Sequence, residues 1–166
     1  MSVTCAYTYA ELISYSDAET VRWREWFTRN PGALDLPFAE GRLATIRGLV
    51  LHIFSVELRY TDRLCGREAT PYDDIHADSL EEIFALGDRA RSELRGYLAT
   101  MTEADAAVVL TFSTLTAGTL TASKRKIASN IFIHGMRHWA QVATTLRSAG
   151  FTDQWGHDIL LSELAM

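Results

Sequence analysis

Histidines are the residues of this 166-residue chain best placed to do chemistry, and what matters about the five of them is where they fall. His134 and His138 stand four apart in a stretch with helical periodicity. At that spacing both imidazoles leave one helix face about a turn apart, so both can reach one metal ion. They occupy seam positions that a purely structural bundle fills with Leu or Ile. Burying two neighbouring imidazoles without partners is costly. A metal offsets that cost, because neutral imidazole nitrogen is a preferred ligand of Zn, Ni, Cu and Fe. A third histidine, His52, lies three residues after Leu49 and four before Val56, partly on an apolar face of another helix. The middles of helices meet in an antiparallel or crossover bundle. Three histidines with further positions open make a catalytic type of site rather than a closed structural one. The plain alternative is an incidental pair in a metal-free bundle.

The remaining candidates are weaker. Gln141 is one heptad beyond His134, placed to orient a bound water or a substrate, or simply a satisfied amide. Arg59, seven residues after His52, either brings a cation to the pocket rim or is solvated. Glu57 is five residues after His52, points away from it, and reads as a salt-bridge residue. Trp139 reads as core. His76, beside Asp73 and Asp74, is expected at the surface. His157 follows Trp155-Gly156 and is expected in a local hydrogen bond or at the surface. Gly135, Met136 and Arg137 separate the paired histidines, so the Glu that a zinc protease places directly after its first His is missing. There is no Gly-rich phosphate loop, nucleophile elbow or metal-spaced Cys pair.

Four helices must position these residues. Thr8 to Arg29 carries Tyr9, Leu12, Ser16, Glu19, Trp23 and Trp26 on one stripe and stops at Asn30-Pro31-Gly32. Ser16 and Glu19 are expected at the edge of that stripe, reaching solvent. Gly41 to Leu64 has a wide apolar face from Leu43 to Leu64 and ends at Cys65-Gly66. Ser79-Leu80-Glu81-Glu82 is a capping box that opens a third helix to about Met101. Gly87 in its stripe costs about 1 kcal/mol against Ala and implies close helix approach or room for a ligand. Ala107 to Thr121 is β-prone around an Ala117-Gly118 turn, so a short hairpin or a crossing loop is expected there. Ser123 caps a fourth helix over Lys124 to Ala149, and the tail from Phe151 packs back on the bundle. The expectation is one all-α domain over residues 1–166, a four-helix bundle with a long crossover between helices three and four.

Composition sets the limits. With 48% hydrophobic and 22% charged residues the chain resembles a soluble globular protein rather than a disordered one. A net charge of −5 argues against general nucleic-acid binding, which needs a basic face. No apolar run approaches the about 20 residues that cross a bilayer. Residues 1–7 have neither a basic stretch nor an apolar one, so a cytoplasmic location is expected, with Cys5 and Cys65 reduced and Cys65 packed. Trp23, Trp26 and Phe27 exceed one core face and leave core and interface open as their place.

The chain resembles the DinB-like superfamily, which includes YfiT-like proteins described as metal-dependent hydrolases. The residues that carry the resemblance are His52-Ile53-Phe54-Ser55-Val56-Glu57 and Asn130-Ile131-Phe132-Ile133-His134-Gly135-Met136-Arg137-His138-Trp139-Ala140-Gln141, then Leu146-Arg147 and Gly150. The resemblance implies a four-helix bundle with a divalent metal, zinc or nickel first, held by His52, His134 and His138. It implies a homodimer. It also implies a small-molecule substrate, since characterised relatives include bacterial transferases and isomerases that use low-molecular-weight thiols such as mycothiol or bacillithiol. The thiolate is the nucleophile in such chemistry. Thiol S-transfer is therefore the leading expectation. Metal-dependent hydrolysis and non-catalytic metal binding are the alternatives, with Gln141 and Arg59 the side chains that could assist.

Overall fold

The computed structural model describes residues 7–39, 41–152 and 154–162. Four long helices form the bundle: α1 (Tyr9–Arg29), α2 (Ile46–Leu64), α3 (Leu80–Thr100) and α5 (Lys124–Ser148). A short helix α4 (Glu103–Ala107) and an antiparallel hairpin, β1 (Val109–Thr114) and β2 (Gly118–Ser123), bridge α3 and α5. This is the helical bundle with a crossover that the periodicity predicts, and the β-prone stretch is a true hairpin. α4 was not foreseen; Thr102 opens it by accepting from the Asp105 N–H.

Local chemistry sets the helix ends. Thr8 and Glu11 form a capping box at α1, and Ser79 and Glu82 form the expected one at α3. Ser123 caps α5 as anticipated. α2 starts five residues later than the apolar pattern suggests. The Thr45 hydroxyl accepts from the Gly48 N–H and marks the true start, while Gly41 sits at φ +62° and opens a separate 3-10 turn. Gly66, at φ +74°, follows the end of α2 in a conformation that favours glycine. Cys65 beside it is exposed rather than packed, and Cys5 lies outside the described residues.

α2 lies at the centre and packs against both α3 and α5. Gly87 explains the closeness of α2 and α3: a Cβ there would stand 2.7 Å from the Phe54 ring. The glycine therefore serves close helix approach. Gly87→Ala is expected to force Phe54 off its position and destabilise the protein by about 1–3 kcal/mol, a lowered urea midpoint being the readout.

The largest core cluster joins Trp23, Trp26 and Phe27 of α1 to Leu49, Ile53 and Phe54 of α2, Phe84 of α3, and Trp139 and Leu146 of α5. Trp23, Trp26 and Phe27 have no exposed surface. They are core, so they provide no interface on this helix. The tail completes the cluster, with Phe151 and Trp155 packing against it. Glu19 corrects another expectation. It is only 4% exposed, because the tail covers it: Trp155 Nε1–H donates to its Oε1 at 2.8 Å and His157 Nδ1 lies 2.9 Å from Oε2.

Candidate metal centre

α2 and α5 bring His52, His134 and His138 together. The ring centroids are 5.0 Å apart for His52 and His134, 5.1 Å for His52 and His138, and 4.3 Å for His134 and His138. One nitrogen from each lies within 4.8 Å of the other two, so the three are positioned to hold a metal ion. Helix geometry supplies the pair, and the packing of α2 on α5 supplies the third member.

The two Nε2 atoms of His134 and His138 face each other at 3.0 Å. Two imidazole nitrogens on a tetrahedral zinc, each bonded at about 2.0–2.1 Å, stand about 3.3 Å apart. That pair therefore fits a metal with little movement, and the His52 nitrogen lies within 4.8 Å of both. His138 Nδ1 lies 2.6 Å from Gln141 Oε1. With that oxygen accepting, the proton sits on Nδ1 and Nε2 keeps its lone pair for the site. Such an outer hydrogen bond fixes ring orientation and tautomer in metal sites. Gln141 thus reaches the site through His138.

Electrostatics favour the neutral rings that ligation requires. Burial, reinforced by the charge that His138 would carry, lowers the pKa of His52 to about 4. Burial again, then His138, His52 and Arg137, lowers that of His134 to about 3. Burial also lowers His138, against the opposing hydrogen bond to Gln141. All three are neutral at pH 7, as metal ligands must be.

A groove of about 380 Å³ adjoins the site at His52, lined also by Leu51, Ser55, Tyr72, Ile75 and His76 but not by His134 or His138. His76 is exposed, as expected, yet it shares this groove with His52. The one carboxylate in the lining, Asp73, is paired with Arg42 at 2.7 Å. Arg59 is not free in solvent: it donates to the Thr70 carbonyl, and its guanidinium lies 4.0 Å from the centre of the Tyr72 ring. Glu57 is the salt-bridge residue expected, buried against Arg91 of α3. Trp139 is core, stacked on Trp23 at 5.3 Å.

A second cavity, about 330 Å³, lies among Glu19, Ile53, Glu57, Arg91, Met136 and His157, and none of the three clustered histidines lines it. Sequence reasoning foresaw the ion-paired role of Glu57 here but missed Glu19 and Arg91. The signal for Glu19 was present, an acid in mid-stripe, but its partners stand 136 and 138 residues away.

A profile of the DinB superfamily matches residues 8–142, from the cap of α1 through the third histidine and Gln141. The chain belongs to the DinB superfamily. No curated protein matches it in a sequence search. Within this DinB-like fold the matched region holds all three histidines and the helices that position them. Among the described residues no helix is long and apolar enough to cross a membrane.

Proposed function

We propose that the protein binds a divalent transition metal through His52, His134 and His138 and uses it to join a low-molecular-weight thiol to a small electrophile. The observation that carries the metal reading is the convergence of three neutral imidazoles from two helices, one of them fixed in tautomer by Gln141. Imidazole ligands suit zinc, nickel, copper or iron, and zinc and nickel are the two to try first. When bound, the metal supplies Lewis acidity that lowers the pKa of a thiol or water entering its open positions.

The chain's own residues do the rest. His52, His134 and His138 hold and orient the ion, and Gln141 holds His138. Leu51, Tyr72 and Ile75 give the groove apolar walls that suit a small organic electrophile. In the transfer the thiol loses its proton to solvent, its sulfur bonds to the electrophilic carbon, and the leaving group departs with the carbon's bonding pair.

The test is turnover by zinc- or nickel-loaded protein with bacillithiol, mycothiol or glutathione against a halogenated electrophile. The expected result is thiol-dependent product formation that chelation abolishes. Ester or amide turnover without any thiol assigns hydrolysis instead. Metal binding with no turnover of any substrate assigns a non-catalytic role.

A further inference from the structure

On the same face of α2 as His52, one and two turns further on from its neighbour Ser55, stand Arg59 and Arg63. Six described arginines are only partly exposed: Arg22, Arg24, Arg47, Arg59, Arg63 and Arg91. Four of them meet a carboxylate: Arg22 with Glu19, Arg24 with Asp88, Arg47 with Asp35, and Arg91 with Glu57 and Asp17. Arg59 and Arg63 form no ion pair among the described residues, although the chain carries five more acidic than basic side chains.

Their positions are nonetheless fixed, by groups that leave the charge intact. Arg59 donates to the Thr70 carbonyl and lies over Tyr72. Arg63 donates to the carbonyls of Arg59 at 3.0 Å and Ser113 at 3.2 Å, and lies over Phe112 at 4.8 Å and Tyr60 at 5.4 Å. Carbonyl and aromatic contacts hold a guanidinium without neutralising it, and each fork keeps N–H groups to spare. Like charges four apart on a helix repel. Burial and then the charge of Arg59 push the Arg63 pKa down. The carbonyl and ring contacts offset part of that repulsion, but no ion pair does; a bound anion would.

Beside them is a cleft of about 470 Å³ lined by Arg59, Arg63, Arg67, Glu68, Leu110 and Phe112, among others. Three guanidiniums face it against one exposed carboxylate, Glu68. Arg67 is tied to Asp62 and Glu93, so the uncompensated charge belongs to Arg59 and Arg63.

We infer that Arg59 and Arg63 form a binding site for the oxyanion group, a carboxylate or phosphate, of a small organic molecule. Paired arginine forks suit planar or multidentate oxyanions. Seven residues of helix put Arg59 about 10 Å along α2 from His52. Tyr72 links the two places, since it lines the groove beside His52 and lies under Arg59. Resting on the metal-dependent reading above, the anion held here belongs to a substrate or thiol whose reacting end lies at the three histidines.

The test titrates metal-free protein with succinate and, separately, with inorganic phosphate, against chloride at equal ionic strength, following heat and backbone amide shifts. Saturable binding of either oxyanion is expected, weakened at least tenfold in Arg59→Gln and Arg63→Gln and partly kept in Arg59→Lys. His134→Ala should leave it unchanged. Succinate preferred over phosphate assigns a carboxylate ligand, and the reverse a phosphate. No saturable binding of either, or equal affinity in both Gln variants with native circular dichroism, overturns the inference. Because these titrations need no metal and no turnover, they stand or fall apart from the thiol-transfer assay.

Discussion

Replacing His138 with alanine should abolish stoichiometric metal binding. Each of the three imidazoles supplies one ligand atom, so losing one should weaken zinc or nickel affinity by on the order of 10³-fold. Elemental analysis of dialysed protein and competition with a chelator measure it. Gln141→Leu should keep the metal but bind it about 10–100-fold more weakly, because only the hydrogen bond that orients His138 is lost. Wild-type protein should gain stability with added metal, by about 2.7 kcal/mol at a hundredfold excess over Kd. Acid should act in a defined direction. The folded rings of His52 and His134 resist protonation down to about 4 and about 3, whereas unfolded histidine takes up its proton near 6.5. Protons should therefore compete for these two rings only well below pH 6.5. In the metal-free protein the unfolded chain binds the extra protons, so stability should fall as pH drops from 6.5 towards 3. Equal zinc content in wild type and His138→Ala would sink the metal assignment.

The second large effect lies at the buried ion pair between α2 and α3. Glu57 is 3% exposed, and Arg91 grips both of its oxygens while also reaching Asp17 at 3.0 Å. Arg91→Met strands the Glu57 charge in the core and should cost about 3–5 kcal/mol, whereas Glu57→Leu should cost less, because Arg91 keeps Asp17. The double substitution removes both charges and fills the space with apolar atoms. It should return to within about 1–2 kcal/mol of wild type or exceed it, since desolvating such a pair consumes most of its attraction. Asp17 keeps Arg95 as a partner in either case. Urea unfolding of the four proteins completes the cycle; additive single effects would show that the two side chains act independently.

Local patterns could be read from the sequence, and long-range pairings could not. The Ser79–Glu82 box, the Asn30-Pro31 stop and the Ser123 cap each depend on residues within four positions of one another, and each stands in the structure. His134 and His138 belong to the same class, because helical rise alone puts them on one face. His52 needed one further assumption, that helix middles meet, and the packing of α2 on α5 meets it. Thr45 was hidden because the apolar spacing of Leu43, Ile46 and Leu49 runs straight through it. Glu19 was assigned to solvent because its own helix says nothing of Trp155 and His157, which arrive from the far end of the chain. Arg59 and Arg63 could be seen as charges, but that no ion pair among the described residues answers them is a fact of three dimensions only.

The tail contact changes what light emitted by this protein reports. All four tryptophans of the chain meet around one ring: Trp23 has Trp26 at 6.0 Å, Trp139 at 5.3 Å and Trp155 at 4.7 Å, with the His157 imidazole stacked at 5.1 Å. Intrinsic fluorescence is therefore a single-locus probe of α1, α5 and the tail. Contacts so distant in the chain carry the largest loop-closure cost. A refolding trace read at tryptophan wavelengths would follow the assembly of this one locus, the arrival of the C-terminal segment included.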